Sequence, residues 1–426
     1  MTTTTTALRR ELEFVSPTRQ RVMGILFLLA GAVIWYFFSR NMDPDVVTKF
    51  GMTPGGAKAT IPNLVLPTQM TLNILMVLCM LLGLAQLLLP GGFKKRTNLV
   101  LGIVAGLFIF AFLTWAAAGK SLNLGGLFNT TLSKAVPLTL GAMSGILCER
   151  AGVVNIAIEG MMLMGAMVGA LVGSIADNLW IGLFAAVFSG ALLGLVHGVL
   201  SIKYKTNQII SGTAINIFAA GMTSYISAKF MQVNQDLNNP GIFKPIEIPG
   251  LSSIPFFGPI LFDNNMFVYA MFIFLFVLQF GLFYTRWGLR HRAVGEHPRA
   301  ADTLGINVFR TRYIAVLLGG MMAGFAGGYF TLGSVGRFDE MMTAGRGFIA
   351  LAAMIFGNWM PFGAFGAGLL FGFADSLASK MAILQIHIPS QFLLMAPYIA
   401  TMVVLAGVVG RGQMPAADGE PYEKEG

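Results

Sequence analysis

Long apolar runs separated by short polar stretches make up most of the chain. A helix needs about 20 mostly apolar residues to cross about 30 Å of hydrocarbon. Runs of that kind lie near residues 22–38, 70–89, 98–118, 130–148, 153–173, 179–200, 209–228, 265–284, 312–333, 347–359, 362–380 and 391–409. None alternates apolar and polar residues as barrel strands do. The pattern therefore predicts an all-α polytopic membrane protein of about twelve transmembrane helices. The run 347–359 is short enough to be re-entrant, so the expected count is ten to twelve.

Composition supports the same class. The 426 residues are 55% hydrophobic and only 11% charged, against roughly 25% charged in soluble domains. The net charge of +9 would raise nucleic acid as a partner for a soluble protein. Here it reads as topology, because Lys and Arg gather in cytoplasmic loops. Arg9, Arg10, Arg19 and Arg21, then Lys94-Lys95-Arg96, then the loop from Arg286 to Arg312 all fall on one side if even numbers of spans separate them. Both termini are then cytoplasmic, membrane lipid is the surrounding partner, and no nucleic acid is expected. Cys79 and Cys148 sit in apolar sequence and the four His lack ligand spacing, so neither a disulfide framework nor a metal site is expected. No cleavage site follows the first apolar run, which reads as a signal anchor.

The expected organisation is a disordered cytoplasmic tail at 1–20, a chemically plain transmembrane block at 21–125, a core at 126–410 and a cytoplasmic tail at 411–426. The polar segment 229–264 falls outside and is long enough to be more than a connection. Within the core, Gly165, Gly169 and Gly173, then Gly190, Gly194 and Gly198, repeat every four residues. Such faces let helix backbones approach closely.

Two stretches carry candidate chemistry. In the inner loop 285–312, Pro298 suits the first turn of a helix and Gly305 its end, with Arg299, Ala300, Ala301 and Asp302 between. The expected helix of about two turns is too short to stand alone and must dock on something. In ERAGVVNIAIEGMM, Asn155 and Glu159 lie four residues apart, a spacing that shares one helix face. An ionisable group inside a span faces protein or a water cavity. Glu159 therefore lines a path, holds a broken helix together, pairs with Arg150 or caps a neighbouring helix. Asn216, in IISGTAINIFAAGM, is the next path candidate. His197 reads as a hydrogen-bonded packing residue. Asp375 beside Lys380, and Arg337 beside Asp339, read as outer-surface charges.

GEHPRAADTLGI resembles the coupling-loop signature of ABC-importer permeases. ERAGVVNIAIEGMMLMGA, TAGRGFIALAAMIFGNWMPFGA (343–364) and LMAPYIATMVVLAG (394–407) resemble the permeases of the branched-chain amino acid, ribose and nucleoside group. The similarity is closest to those paired with basic-membrane-protein lipoproteins, which import nucleosides. Residues 1–125 depart from that group's core, and His297 stands where such permeases usually have Asn.

The resemblance implies a type II importer-like bundle in the bacterial inner membrane. Glu296, His297, Pro298, Arg299, Ala300, Ala301, Asp302 and Gly305 would form the ATPase-coupling element. The implied partners are a cytoplasmic ATP-binding subunit, a second homologous permease (or a second copy of this chain) and an extracytoplasmic solute-binding lipoprotein. ATP and Mg would be bound by the partner, since no Gly-x-x-x-x-Gly-Lys-Ser/Thr loop is present. No cofactor on this chain and no catalysis by it are expected. The alternative is a stand-alone ion-coupled transporter of a small polar solute with Glu159 as its coupling carboxylate.

Overall fold

A computed structural model describes residues 16–55, 61–386, 391–392, 395 and 414–424. The chain divides into two compact units. One comprises residues 1–126 with 380–387, the other 127–379 with 388–426.

In the first unit, α1 (Pro17–Val33) continues through a π-helical turn to Ser39 and packs with α2 (Thr68–Leu88) and α3 (Thr97–Ala116). Phe27, Ile34, Leu72 and Cys79 are fully buried among them. Phe38 stacks on Trp115 with ring centroids 5.1 Å apart. Beyond the helix ends the chain forms a small sheet that hydrophobic patterning did not announce. β1 (Val47–Gly51) pairs antiparallel with β2 (Leu64–Pro67), placing Val47 opposite Pro67, and parallel with β3 (Ser121–Asn123), placing Lys49 opposite Ser121. Strands this short carry too few residues for a period-two signal.

The second unit contains all but the first three residues of α4 (Leu124–Glu149), then α5 (Ile158–Ile175), α6 (Leu179–Gly198), α7 (Gln208–Ile226), α8 (Met266–Tyr284), α9 (Arg286–Glu296), α10 (Pro298–Thr303), α11 (Val308–Gly328), α12 (Arg346–Phe356) and all but the last four residues of α13 (Pro361–Ile383). A two-stranded pair, β4 (Ile246–Glu247) with β5 (Asp263–Asn264), closes the long polar segment before α8. The glycine faces meet where their spacing requires. A methyl group on Gly190 of α6 would lie 2.6 Å from the Gly324 Cα of α11, and one on Gly165 of α5 would lie 2.6 Å from the Gly324 carbonyl oxygen. Three helices thus share one glycine contact, a separation that larger side chains would not allow.

Among the described residues, ten helices are long and apolar enough to cross a membrane. They correspond to ten of the twelve expected runs. The run 347–359 is a half-helix: α12 has eleven residues and rises about 16 Å at 1.5 Å per residue. The run 391–409 lies outside the described residues except at 391, 392 and 395.

Candidate functional site

Glu149 ends α4 and Ile158 begins α5, and the eight residues between them are not helical. This break is buried, so its backbone polar groups need partners supplied by the protein. Neighbouring spans supply them. The Val154 amide donates to Gln208 Oε1 at 2.7 Å, and His197 Nε2 lies 2.9 Å from the Val154 carbonyl. Asn216 donates through Nδ2 to the Ile156 carbonyl at 2.9 Å and accepts from the Gly160 amide at 2.7 Å. The polar residues at positions 197, 208 and 216 are therefore braces for an unwound segment. Asn155 lies within that segment, not on α5. The expected shared helix face with Glu159 is corrected accordingly, because the helix starts three residues too late. Asn155 is fully buried, its Nδ2 is 3.4 Å from Cys148 Sγ, and its Oδ1 has no hydrogen-bond partner among the described residues.

Glu159, in the first turn of α5, meets a second break. The chain after α11 loops back through residues 336–345 and enters the half-helix α12. Glu159 Oε1 accepts from Thr343 Oγ1 at 2.6 Å and from the Gly345 amide at 2.9 Å, and Oε2 accepts from the Gly347 amide at 2.6 Å. The N-cap of α12, Gly345, has φ +78° and no side chain of its own. A carboxylate from another helix caps it instead, where the free amides and the helix dipole both favour negative charge. Arg150 is engaged elsewhere: its Nε donates to the Trp359 carbonyl at 3.0 Å, and its guanidinium lies 5.5 Å from the centre of the Phe283 ring.

A charged cluster lies beside this cap. Lys134 of α4 bonds Asp375 of α13 at 2.9 Å and Ser379 at 2.7 Å, and Arg346 lies 3.5 Å from Asp375. The reading of Asp375, beside Lys380, as an outer-surface charge is corrected by these cross-helix partners, which hold its carboxylate half-buried. Residues 375 and 380 are not at the 3–4 spacing that faces side chains together on a helix. Lys134 was legible as a charge inside an apolar run, but its partner was not. Arg337 and Asp339 form the expected exposed pair at 3.2 Å.

At the end of the unit near Glu149, α9 and α10 form the loop expected at 285–312. His297 is the N-cap of α10, its Nδ1 accepting from the Ala300 amide at 3.3 Å, and Pro298 is the first helical residue. Gly305, at φ +81°, ends the helix, with the Ile306 amide on the Ala301 carbonyl and the Gly305 amide on the Asp302 carbonyl. This is a Schellman ending, which requires the left-handed residue that glycine provides. Arg299 and Ala300 are exposed, Pro298 and Asp302 half-buried, and Ala301 buried against Val294, Val308 and Tyr422. Glu296 is exposed and accepts from the Ala416 amide at 3.2 Å. Gly295 packs on the Arg150 backbone, and His291 Nε2 lies 2.8 Å from the Leu147 carbonyl. Burial pushes His291 down to about 4, so the ring is neutral and Nε2 donates. The surface loop and the helix break therefore share the corner at 147–152.

The family described as the branched-chain amino acid transport system permease component matches residues 127–409. The guanosine ABC transporter permease protein NupQ of Bacillus subtilis is 43% identical over 303 residues, covering 69% of this chain and 95% of that protein. The nucleoside ABC transporter permease protein NupC of Lactococcus lactis is 38% identical over 300 residues, covering 68% and 94%. The putative glucose ABC transporter permease protein TsgC13 of Haloferax volcanii is 32% identical over 323 residues, covering 70% and 98%. No solved structure matches.

Proposed function

The chain belongs to the permease-component family of the branched-chain amino acid transport system type, and from that premise we propose that it forms the translocation path for nucleosides. It is a multi-pass membrane protein, the non-catalytic permease subunit of an ABC importer, and ATP is consumed by a separate subunit. Its partners in this reading are that ATP-binding subunit, a second homologous permease and an extracytoplasmic solute-binding lipoprotein. The α9–α10 end faces the cytoplasm, with both termini on that side and the membrane that of a bacterial cell.

One observation carries the mechanism: a carboxylate of one broken helix caps the N-terminus of another inside the bundle. Half-helices at the depth of a solute site are a recurrent device of transporters, since unwound backbone is tolerated only where protein buries it or a cavity needs it. In this reading Asn155, Glu159 and Asn216 act on the path by holding its broken helices, not by touching solute. Both Glu159 oxygens already have donors, which also disfavours Glu159 as the coupling carboxylate of a stand-alone ion-driven carrier. The coupling element is Glu296, His297, Pro298, Arg299, Ala300, Ala301, Asp302 and Gly305. The exposed face of α10 seats on the ATP-binding subunit, so closure of that subunit moves α9 and the 147–152 corner on which it packs.

The test is uptake of labelled guanosine and other nucleosides by cells carrying the full transporter, with glucose and leucine as competitors. Nucleosides alone should compete. Gly305→Val, which forces a branched side chain into a left-handed position at a cost of about 1–2 kcal/mol, should abolish uptake while membrane insertion persists. Competition by leucine or glucose overturns the substrate reading. Wild-type uptake by a Glu296→Ala, Gly305→Val double variant overturns the placement of the coupling element.

A further inference from the structure

Residues Met414–Lys424 lie against the α9–α10 end of the second unit rather than away from it. The Ala417 amide donates to the Gly295 carbonyl at 2.9 Å, and the Ala416 amide to Glu296 Oε2 at 3.2 Å. Arg312 Nη1 donates to the Glu420 carbonyl at 2.8 Å, and Lys205 pairs with Glu423 at 2.5 Å. Tyr422 is 6% exposed, its ring centroid 5.4 Å from that of Phe309, and it closes the small cluster of Val294, Ala301 and Val308. A six-residue helix cannot hold itself. The buried side of α10 is Ala301, and Tyr422 is the largest side chain of the cluster that receives it.

The same segment reaches the helix break. Both carboxyl oxygens of Asp418 are buried and accept from no donor among the described residues, and the nearest charge that acts on them is the carboxyl of Glu149. Glu149 also accepts from Trp359 Nε1 at 2.5 Å, just beyond the foot of α12. Two carboxylates cannot hydrogen-bond to each other unless one keeps a proton. The other groups facing Asp418 are Arg312 of α11, the Cys148 thiol of α4 and the Gly419 amide, with Glu420 beyond Arg312.

We propose that the segment Met414–Lys424 is a positioning element of the coupling machinery: Tyr422 seats α10, and a proton shared by Asp418 and Glu149 joins that seat to Trp359 and the half-helix α12. This rests on the reading of α10 as the coupling helix. Motion imposed on α10 then reaches α12 by two routes, one through α9 and the 147–152 corner and one through the C-terminal segment. The second route depends on pH. Burial, then the Glu149 charge, pushes Asp418 from 3.8 up to about 9. The docked segment therefore keeps a proton at pH values where the free segment has lost it, and docking weakens as pH rises above the ordinary carboxylate range toward the raised value.

The test uses the assembled transporter, with its ATP-binding and permease partners, in proteoliposomes with pH set on the side of α10. The readout is solute moved per ATP hydrolysed. Tyr422→Ala should lower that ratio roughly tenfold, and Tyr422→Phe, which keeps the ring, should restore it. The wild-type ratio should fall as pH is raised from about 7 to about 9. Asp418→Asn supplies a donor to Glu149 that needs no proton, so its ratio should stay level over the same range. A purely structural role for the segment would not make Asp418→Asn flatten the pH profile. If Gly305→Val keeps the wild-type ratio, the reading of α10 fails first. If Gly305→Val uncouples while Tyr422→Ala leaves the ratio unchanged, or Asp418→Asn follows the wild-type pH profile, the proposal for the C-terminal segment alone is overturned.

Discussion

Glu159 shows how far a single residue's role can be read from chemistry. The sequence says that a carboxylate inside a span must face protein, and it does. Which partner it finds lies 184 to 188 residues away, at Thr343, Gly345 and Gly347, and no local pattern encodes that distance. Replacing Glu159 by Ala removes the acceptor of three donors, two of them buried at Thr343 and Gly347, each of which costs about 1–3 kcal/mol when left without a partner. The expected result is loss of uptake with a lower melting temperature of the detergent-solubilised protein. Glu159→Gln keeps one acceptor oxygen and should fall between wild type and Ala in melting temperature. Equal melting of Glu159→Ala and wild type would mean that the cap does not hold α12. Asn155 marks the limit of spacing arguments. Its four-residue offset from Glu159 places both on one face only if the helix already runs, and α5 begins at Ile158. Nothing in VVNIA forbids helix as proline would. The break opens locally, where α4 ends on Gly152 at φ +82° with the Val153 amide on the Cys148 carbonyl and the Gly152 amide on the Glu149 carbonyl, and tertiary partners at positions 197, 208 and 216 keep the residues after it unwound.

At the scale of elements, glycine spacing was legible because close helix contact leaves a four-residue mark on each partner independently. Gly190 and Gly194 on α6 face Gly320 and Gly324 on α11, and each would place a methyl group against the other's backbone. Gly190→Ala should therefore push α6 from α11 and lower the melting temperature markedly. Gly221 in α7 has nothing within 4 Å of an added methyl group. Gly221→Ala should be neutral or stabilising, by up to about 1 kcal/mol of helix propensity. Thermal melting of the two variants side by side checks the contrast, and equal destabilisation would remove close packing as its cause. The surface helix was legible for a different reason. Its signals at Pro298 and Gly305 are local stereochemistry, and both hold in the structure. Its seat was not legible, because Tyr422 lies more than a hundred residues downstream in a segment whose composition reads as a plain tail. The short strands at 47–51, 64–67 and 121–123 were likewise invisible, being too brief to carry a period.

For the whole molecule, the apolar runs gave the architecture because lipid imposes length and polarity on every span independently of tertiary partners. The same logic says what can be removed. The family match begins at residue 127, and relatives that align over 94–98% of their own length cover 68–70% of this chain. The first unit has its own buried core at Phe27, Ile34, Leu72 and Cys79. Deleting residues 2–92 removes two spans, α1 and α2. An even number leaves the sidedness of every later helix unchanged, and Lys94, Lys95 and Arg96 remain ahead of α3 to hold that side by the positive-inside rule. Deleting residues 2–120 removes three spans and leaves α4 to start from the wrong side. The expectation is that the first deletion keeps nucleoside uptake within about twofold of wild type and the second abolishes it. A cleavable signal sequence placed ahead of residue 121 should rescue the second, because it restores the lost crossing without restoring the unit. Loss of uptake in the first deletion, with normal insertion of α3 to α13, would instead give the N-terminal unit a part in transport that the permease core cannot supply.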